Sequence, residues 1–529
     1  MTDLILHNAH IVTMDPQQPQ ASALAVRGKH IFALGTDADV LALARPGTKL
    51  VDLSGKSVWP GLCDAHIHLG QWAQEELKLD CHTTTKAACL ERVHERAAAE
   101  QPGTWILGRD WDANLWQGDA PRAGDLDAVA RDPFVFIAGK SLHAGWLNGA
   151  ALRLLLSKMD PGAEEGPLFG RDASGELNGV IYEDLLDRVQ ELVPAPAPSE
   201  RQRMLNRAQE RLHRLGITAV HDFDGLADYG ALRTLDEQRG LQLRVWEGIP
   251  QQDLPAAQSV GLHTGSGSAH LRTGPAKLFA DGALGSHTAA LFEPDLQTGG
   301  SGLLRLDAGE IFDLGMGARS AGFSLAVHAI GDRAVEAALD AFTRLREWEA
   351  AQGLPIAVLR IEHAQLVRPE QVAEFARLGI CASMQPMHAV ADRELAELAW
   401  GERVRHAYAW RELQEAGVPL LFGSDAPVEE PNPFWGLYAA TTRLHPRDTT
   451  PGDAQQAGWH TEQCLALLDA LAAYTIAPAA ASSWGRRIGC LAPGSFADLI
   501  ILPSDPLEVD IDALPATKPL ATLVDGETV

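Results

Sequence analysis

The chain has 529 residues, of which 46% are hydrophobic, and this suits a globular protein with more than one domain. Its 44 basic and 70 acidic residues give a formal net charge of −26, which disfavours binding to nucleic acid and to anionic membranes. No apolar run in the sequence reaches the roughly 18 residues that span a bilayer, so we expect no membrane partner.

The two ends of the chain alternate short apolar strands with turns. Residues 1–58 include LILHNAHIVTM, and residues 485–529 include FADLIILPSD and LATLVDGETV. Since short strands cannot bury a face alone, we predict that both ends pair as one small β-sandwich domain. The chain begins directly in a strand pattern without a basic segment, which argues against a signal peptide. Six cysteines without CxxC spacing indicate the reduced thiols of a cytoplasmic protein.

Between these ends the sequence repeats an apolar strand, a polar residue and a helical stretch. The pattern predicts eight strands, near residues 59–66, 217–222, 242–249, 275–281, 323–330, 357–363, 380–386 and 418–425. Helical stretches lie between them, for example at 200–215, 333–349 and 369–378. Eight such units indicate an α/β protein with a parallel (β/α)8 TIM barrel, in which 59–80 hold the first strand and 194–484 the remainder. We expect the active site at the carboxyl ends of the strands.

The interval between the first two strands is too long for one unit of the barrel. It holds about 150 residues, against roughly 30 in an ordinary strand–helix–strand unit. We therefore predict an inserted α/β subdomain at residues 81–193 that leans over the barrel mouth. The Pro-rich stretch 194–199 is expected to be a short stiff linker.

Polar residues that can bind a metal stand at the ends of five predicted strands. His66 and His68 end the first strand, where residues two apart face the same side. Four later strands end in Lys277, His328, His363 and Asp425. Because all of them fall in register with the barrel repeat, we favour a metal site. Imidazole and carboxylate ligands suit zinc, and manganese or iron after it.

Each of these side chains has a structural interpretation when it is taken singly. A lone histidine such as His328 is more often a satisfied core residue. His363 could pair with its neighbour Glu362, and Asp425 could cap the following segment. The joint register of all the residues with the barrel repeat is what favours the metal site.

Lys277 is the only lysine between Lys158 and Lys518, in a chain that carries most of its positive charge as arginine. A buried lysine can lose its proton. It can then add carbon dioxide to form a carbamate, an anionic oxygen ligand that can bridge two metals. The alternative is a buried ion pair with an acid such as Asp281.

Several motifs along nearly the full chain carry a family resemblance: PGLCDAHIHL, KLFADGALGSHTAAL, VHAIGDRAV, IEHAQL, GSDAPVEEPNPF and GCLAPGSFADLIIL. With them the chain resembles the amidohydrolase superfamily, specifically its YtcJ-like branch, which is similar to N-substituted formamide deformylases. The resemblance implies a centre of one or two metals whose ligands are His66, His68, carbamylated Lys277, His328, His363 and Asp425. One departure is His287, where relatives more often carry arginine, and it affects the expected local substrate contacts.

The resemblance implies a metal-dependent hydrolase that cleaves the carbon–nitrogen bond of a non-peptide amide, an N-acyl or N-formyl group, by metal-activated hydroxide. Asp425 would take the proton of the attacking water and pass it to the leaving nitrogen. A pocket donor would help to hold the oxyanion. His143, in the insertion, is the first choice, although it could equally be structural. His221, at the end of the second strand, could donate there or orient a ligand.

The expected substrate contacts are Trp111, Asp112, Trp116, Trp146, Asp281 and Gln385. The three tryptophans cluster in the inserted segment and either line an apolar pocket or form the core of the subdomain. Asp112 is a candidate for recognising a polar substrate group. Asp281 and Gln385 follow the fourth and seventh strands and are expected to face the mouth.

Three other interpretations stay open at this point. The same metal barrel could act on a cyclic amide, a lactone or a phosphoester, or as a deaminase, since all use the same activated water. A non-catalytic scaffold would typically have lost metal ligands. A metal-free glycosidase would need two carboxylates at strand ends. The expected partner is a small-molecule amide, and the sequence leaves a homo-oligomer open.

Overall fold

The structure is a computed structural model that describes residues 2–101, 103–116, 120–140, 144–447 and 458–529. It divides into two compact units, one made of Met1–Trp72 with Arg201–Val529 and the other of Ala73–Glu200. Within the described ranges, no helix combines the length and apolarity that crossing a bilayer requires.

The first unit is organised around a parallel eight-stranded sheet. Its strands are Leu62–Ile67, Ile217–Asp222, Arg244–Pro250, Leu271–Phe279, Leu325–Ala329, Leu359–His363, Cys381–Met384 and Leu420–Phe422. They pair in chain order, and the last strand lies against the first, so the sheet is a nearly closed barrel. All eight strands lie where the sequence pattern predicts them. Most are buried along their whole length because helices cover the outer face.

Helices follow the strands along the chain. Those of this unit are Pro198–Arg214, Leu226–Glu237, Leu254–Ser259, Ala308–Ser320, Asp332–Gln352, Pro369–Leu378, Pro386–Ala391, Arg393–Trp400, Trp410–Glu415, Pro433–Thr442, Leu467–Ala473 and Ile476–Ala481. In Asp332–Gln352 the buried residues Val335, Ala338 and Phe342 recur every three or four positions, as an amphipathic helix requires. Helix Ala308–Ser320 begins with a capping box of Asp307 and Glu310. The short helix Leu69–Glu75 directly follows the first barrel strand.

Strands from both ends of the chain share one six-stranded sheet. Its order is Glu527–Thr528, Ala521–Val524, Leu499–Leu502, Ser57–Pro60, His10–Val12 and Gln20–Ala21. A four-stranded sheet of His30–Gly35, Ala23–Arg27, Leu4–His7 and Lys49–Asp52 accompanies it, with the short helix Asp37–Leu41. The two ends therefore pair as expected, and the β-sandwich arrangement of the two sheets stays a prediction.

Buried ion pairs join the C-terminal strands to the barrel. Arg244, at the start of the third barrel strand, places Nε 2.5 Å from Asp498 Oδ2 and Nη2 2.6 Å from Asp525 Oδ1. His270 Nε2 lies 3.0 Å from Asp525 Oδ2. Burial opposes ionisation of Asp525, but His270, Arg244 and Lys29 outweigh it and hold the pKa of this carboxyl well below its usual range.

Replacing Asp525 with asparagine should lower the free energy of unfolding by about 2 kcal/mol at pH 7, because hydrogen bonds to charged groups are lost. Because the pKa of Asp525 is lower in the folded state than in the unfolded state, its ionised form stabilises the folded state at pH values above the unfolded pKa of about 3.9. This stabilisation is lost as the pH falls below that value. Urea unfolding of wild type and variant checks this. The difference should hold from pH 8 to about 5 and narrow below about 4. A difference in the free energy of unfolding that stays the same at low pH would contradict this role of the Asp525 carboxylate.

The second unit is a mixed sheet with its own helices. Its six strands, in order, are Phe169–Arg171, Leu177–Tyr182, Ala144–Leu147, Phe134–Gly139, Trp105–Trp111 and Leu79–Asp80. Its helices are Lys86–Ala97, Ala123–Val129, Gly149–Leu156 and Asp184–Leu192. The compact unit is somewhat longer at both ends than the predicted subdomain of residues 81–193.

Candidate metal centre

The first and eighth barrel strands bring three of the predicted ligands together. Nε2 of His66 and Nε2 of His68 lie 3.5 and 3.4 Å from the same oxygen, Oδ1 of Asp425. The strand ends are joined by hydrogen bonds from Asp425 N to the carbonyl of His66 (2.7 Å) and from His68 N to the carbonyl of Ala426 (2.9 Å). The three side chains therefore converge on one point at the carboxyl end of the barrel.

Asp64, which the sequence analysis did not single out, holds these two strand ends in place. Its Oδ1 accepts hydrogen bonds from the backbone N–H groups of His66 (3.1 Å) and Ser424 (3.0 Å). Its Oδ2 accepts the hydroxyl of Ser424 at 2.6 Å. One buried carboxylate thus fixes the backbone beside the ligands of both strands.

A second group of ligand atoms adjoins the first across Asp425. Atoms of His363, His388 and Asp425 lie within 4.8 Å of one another. The ring of His363 is 4.5 Å from that of His328 and 4.8 Å from that of His66. His388 was not among the predicted ligands. It lies in the short helix after the seventh strand, three residues beyond Gln385, and so belongs to the same edge of the barrel.

Hydrogen bonds on Nδ1 orient three of the imidazoles. His66 Nδ1 lies 2.6 Å from Oε2 of Glu362, and His68 Nδ1 lies 3.1 Å from Oδ1 of Asp224. His363 Nδ1 lies 3.0 Å from Oε1 of Gln385. In each case the partner accepts from Nδ1 and leaves Nε2 for the site, as is usual for metal-binding histidines. Gln385, expected as a substrate contact, is thus placed behind the candidate ligand His363.

His328 is oriented in the opposite sense. Its Nε2 lies 2.9 Å from the carbonyl oxygen of Gly282 and 3.5 Å from Oδ1 of Asp281. Asp281 was expected to face the mouth, but it is buried and accepts the backbone N–H groups of Ala290, Ile330 and Gly331. Its carboxylate is occupied by these bonds, so it anchors the loops around His328.

Glu362 was the partner that a purely structural role of His363 would need. The two neighbouring residues do not pair. Adjacent residues of a strand face opposite sides, so Glu362 points with Arg360 into the barrel. His363 reaches the site because the chain turns at the strand end, where His363 has φ 70°. Asp425 has φ 60°, also in the left-handed region. Backbone strain at both positions is typical of functional residues.

His221 lies in the barrel interior below the ligands. Its Nδ1 accepts from Nη1 of Arg360 at 2.8 Å, and Arg360 also pairs with Glu362 and donates to Ser383 Oγ at 2.8 Å. Burial opposes ionisation of Glu362, but Arg360 and His66 hold its pKa well below the usual range. The chain His221–Arg360–Glu362–His66 connects His221 to a candidate ligand, and a role for His221 in orienting that ligand stays a prediction.

Lys277 lies at the buried floor of the site, 1% exposed. Its Nζ lies 4.4 Å from the centroid of the Phe223 ring and has no hydrogen bond or ion pair with any residue in the described ranges. The alternative was an ion pair between Lys277 and Asp281. It is absent, because the described contacts of Asp281 are with His328 and with backbone N–H groups. Burial lowers the pKa of Lys277 to about 8, although Glu362 and Asp425 oppose this. With this pKa about a tenth of the amine is neutral at pH 7, and the neutral form is the one that carbamate formation requires.

The protonation states suit metal binding. Burial lowers the pKa of His66 to about 4 and that of His328 to about 3, so both imidazoles are neutral at pH 7, as a metal ligand must be. Burial opposes ionisation of Asp425, but His68 and the other imidazoles keep its pKa well below the usual range. Burial also disfavours protonated His68, but Asp224 and Asp425 outweigh it and raise its pKa to about 10. His68 must therefore release a proton when a metal binds.

The residues present fit a divalent metal. Imidazoles, one carboxylate and a buried lysine without a hydrogen bond or ion pair in the described part of the chain make a donor set that suits zinc. His388 adds a second indication, because its buried Nε2 has no hydrogen-bond partner among the described residues. Burial without a partner is unfavourable for a polar atom and marks a position that a ligand can fill.

The site opens into a cavity of about 420 Å³, a size that suits a small molecule. The lining includes the apolar side chains of Phe279, Leu284 and Ile330, which are called the apolar wall below. Another part of the lining is polar and is formed by Gln365, His388, Asp392 and Glu429. None of the last four was predicted, although the same strand-end rule that found the ligands points to Gln365 and His388.

The remaining candidates belong to the second unit. Trp111, Trp116 and Trp146 are buried and pack on one another, with ring centroids 5.8 to 6.4 Å apart. The indole N–H groups of Trp111 and Trp116 donate to the carbonyls of Ile137 and Thr83. The three rings form part of that unit's core, which was the alternative interpretation. Asp112 is half-buried, and His143 lies outside the described residues.

Residues 49–529 match the model of the Amidohydrolase family. The chain belongs to the amidohydrolase family. It is 30% identical to N-substituted formamide deformylase of Arthrobacter pascens, over 99% of this chain and 98% of that protein. It is also 30% identical to Protein LONG AFTER FAR-RED 3 of Arabidopsis thaliana, over 100% of this chain and 91% of that protein.

Among solved structures, this amidohydrolase is similar to an uncharacterized metal-dependent hydrolase from Pyrococcus furiosus. The TM-score is 0.79 at 28% identity, and the match covers 96% of this chain and 100% of that one. Family and neighbours together make this amidohydrolase a metal-dependent hydrolase that acts on carbon–nitrogen bonds.

Proposed function

We propose that this amidohydrolase cleaves the carbon–nitrogen bond of an N-formyl or N-acyl amide and releases an amine. The observation that carries the proposal is the position of Asp425, whose carboxylate lies between two groups of imidazoles at the base of the cavity. The similarity to an N-substituted formamide deformylase supports the same bond type. A cyclic amide, lactone, phosphoester or deamination substrate remains an alternative for the same site.

We propose His66, His68, His328, His363 and Asp425 as the residues that would hold the metal, with Lys277, as a carbamate, as a further oxygen ligand. The neutral amine of Lys277 would add to the carbon of carbon dioxide and lose a proton, which gives a singly charged oxygen ligand. His388 lies close enough to Asp425, with its Nε2 3.9 Å from Oδ2, to join this set or to contact substrate. Zinc is the favoured metal, with manganese or iron as alternatives.

When bound, a divalent metal polarises the substrate carbonyl and lowers the pKa of a coordinated water. The rest of the mechanism belongs to the chain. Asp425 is ionised and accepts the proton of the attacking water, and it then delivers that proton to the leaving nitrogen. His388 Nε2 lies 3.9 Å from Asp425 Oδ2 and, when it carries the ring proton, can support the developing oxyanion, the role first assigned to His143.

Metal content and its removal test the proposal directly. Protein purified without added metal or chelator should contain about two zinc, manganese or iron atoms per chain by elemental analysis, as a carbamate bridge requires. Dialysis against a chelator should abolish hydrolysis of N-formyl and N-acyl aromatic amines, because water is then not activated, and zinc should restore it. About one metal per chain would remove the bridge from the proposal. A folded protein that takes up no metal would contradict the hydrolase assignment of the site.

A further inference from the structure

The polar part of the cavity lining is rich in hydrogen-bond acceptors. It contains the carboxylates of Asp392 and Glu429 and the amide of Gln365. Apart from the histidines, the only cationic side chain among the described residues that line the cavity is Lys277, which lies at the buried floor. An anionic substituent would therefore meet like charge here, whereas an N–H donor or a cation would find partners.

Two buried side chains in this lining have polar atoms without a partner in the described structure. Gln365 Nε2 lies 3.5 Å from His388 Nδ1. Neither Gln365 Oε1 nor His388 Nε2 has a hydrogen-bond partner. Gln365 is 3% exposed and His388 6% exposed. Buried polar atoms are normally paired, so the incompletely paired amide of Gln365 independently indicates a polar ligand in the cavity, and its oxygen can accept an N–H.

The two carboxylates are not neutralised by the protein around them. Tyr408 donates its hydroxyl to Asp392 Oδ2 at 2.8 Å, which leaves the negative charge in place. Glu429 makes no ion pair within 4.0 Å in the part of the chain that the structure describes. The nearby Arg447 is exposed, and its guanidinium stacks on the Trp435 ring at 5.0 Å. Burial raises the pKa of Glu429, His388 opposes this, and repulsion from Asp392 adds to it. A cation between the two would relieve that repulsion.

We propose that Asp392 and Glu429, with Gln365, bind an ammonium group, and that the substrate is an N-formyl or N-acyl derivative of a diamine. The metal site would hold the amide and the apolar wall the methylene chain between the two nitrogens. The net charge of −26 would also favour the approach of a cationic substrate. This inference rests on the proposed amide hydrolysis.

Three formamides of similar length test the preference on the metal-loaded enzyme. N-(4-Aminobutyl)formamide carries an ammonium group, N-pentylformamide a methyl group in its place, and 4-formamidobutanoate a carboxylate. We expect kcat/KM for the ammonium compound to exceed that of the neutral one by about fivefold or more, with the carboxylate lowest. Equal kcat/KM for the ammonium and neutral compounds would overturn the inference and leave the proposed function standing.

Variants at neighbouring glutamates locate the effect. Glu429→Gln should reduce the ammonium-to-neutral ratio by about fivefold, whereas Glu429→Asp, which keeps the charge, should retain most of it. The matched control is Glu430→Gln, because Glu430 pairs with Arg211 at 2.9 Å and does not line the cavity. Its ratio should equal that of wild type. A ratio that is the same in Glu429→Gln and Glu430→Gln would refute the role of Glu429.

A binding measurement separates this inference from the proposed function. If none of the three formamides is hydrolysed, the proposed deformylation fails, and calorimetric titration of the same three compounds decides the inference. Tighter binding of the ammonium compound to wild type, lost in Glu429→Gln, would support the ammonium site. Equal binding of all three compounds would overturn it.

Discussion

Replacing Asp425 with asparagine should lower kcat/KM by about 1,000-fold or more. The variant loses a general base, which contributes a rate factor of about 10² to 10⁴, and it also loses one proposed metal ligand. Asparagine keeps the size of the side chain and can still meet Nε2 of His68. It cannot take a proton from water, and it is a weaker ligand than a carboxylate. Rates on the best amide substrate, together with metal content, measure both losses.

The matched control for this prediction is Asp313→Asn. Asp313 is exposed on the helix Ala308–Ser320, on the outside of the barrel, so the same chemical change there should leave kcat/KM and metal content at wild-type values. A melting temperature close to that of wild type would show that Asp425→Asn still folds. Activity within tenfold of wild type in a fully metallated Asp425→Asn protein would rule out Asp425 as the base.

The barrel could be predicted from sequence because its strands are short apolar runs, each ended by a polar residue. In a parallel barrel all carboxyl ends meet at one mouth, so a residue at the end of a strand is placed near the others without further information. His66, His68 and Asp425 come together for this reason. The pairing of the two chain ends was likewise predictable, since neither set of strands could bury a face alone.

The partners of the ligands could not be predicted in the same way. Glu362 binds His66 across 296 residues of sequence, and Asp224 binds His68 across 156. Such pairs depend on which side chains face each other across the barrel, and that is decided by strand register and tilt. A search for polar residues at strand ends identifies His221, one position before the end of the second strand. It misses Asp224, which lies two residues past that end.

Local backbone geometry explains two further differences. Alternation along the sixth strand points Glu362 inward and would turn His363 away, and only the positive φ of His363 returns its ring to the mouth. Asp281 was expected to face the mouth because it follows a strand, but loop backbone folds over it and uses both carboxylate oxygens. Loop paths of this kind are not encoded in a short-range pattern.

Replacing Lys277 with arginine should reduce the metal content from two atoms per chain to at most one and lower kcat/KM by about 100-fold or more, since loss of even a hydrogen-bond partner of a metal ligand costs about 10- to 100-fold. The guanidinium keeps the positive charge but is never deprotonated in proteins, so it cannot form a carbamate. It is also larger than the amine at a site that is 1% exposed. Lys277→Met, of similar length and uncharged, separates the loss of the amine from overpacking.

Direct detection of the carbamate decides what Lys277 does. Wild type prepared with zinc and ¹³C-bicarbonate should show a carbamate carbon signal by NMR, and this signal should be absent from Lys277→Met. In Lys277→Ala, a short carboxylic acid such as propionate should partly restore both metal content and rate, since it supplies the missing oxygen ligand. Burial favours this chemistry because it lowers the pKa of Lys277 to about 8. Two metals and full activity in Lys277→Arg would show that this lysine is a structural residue at the floor of the cavity.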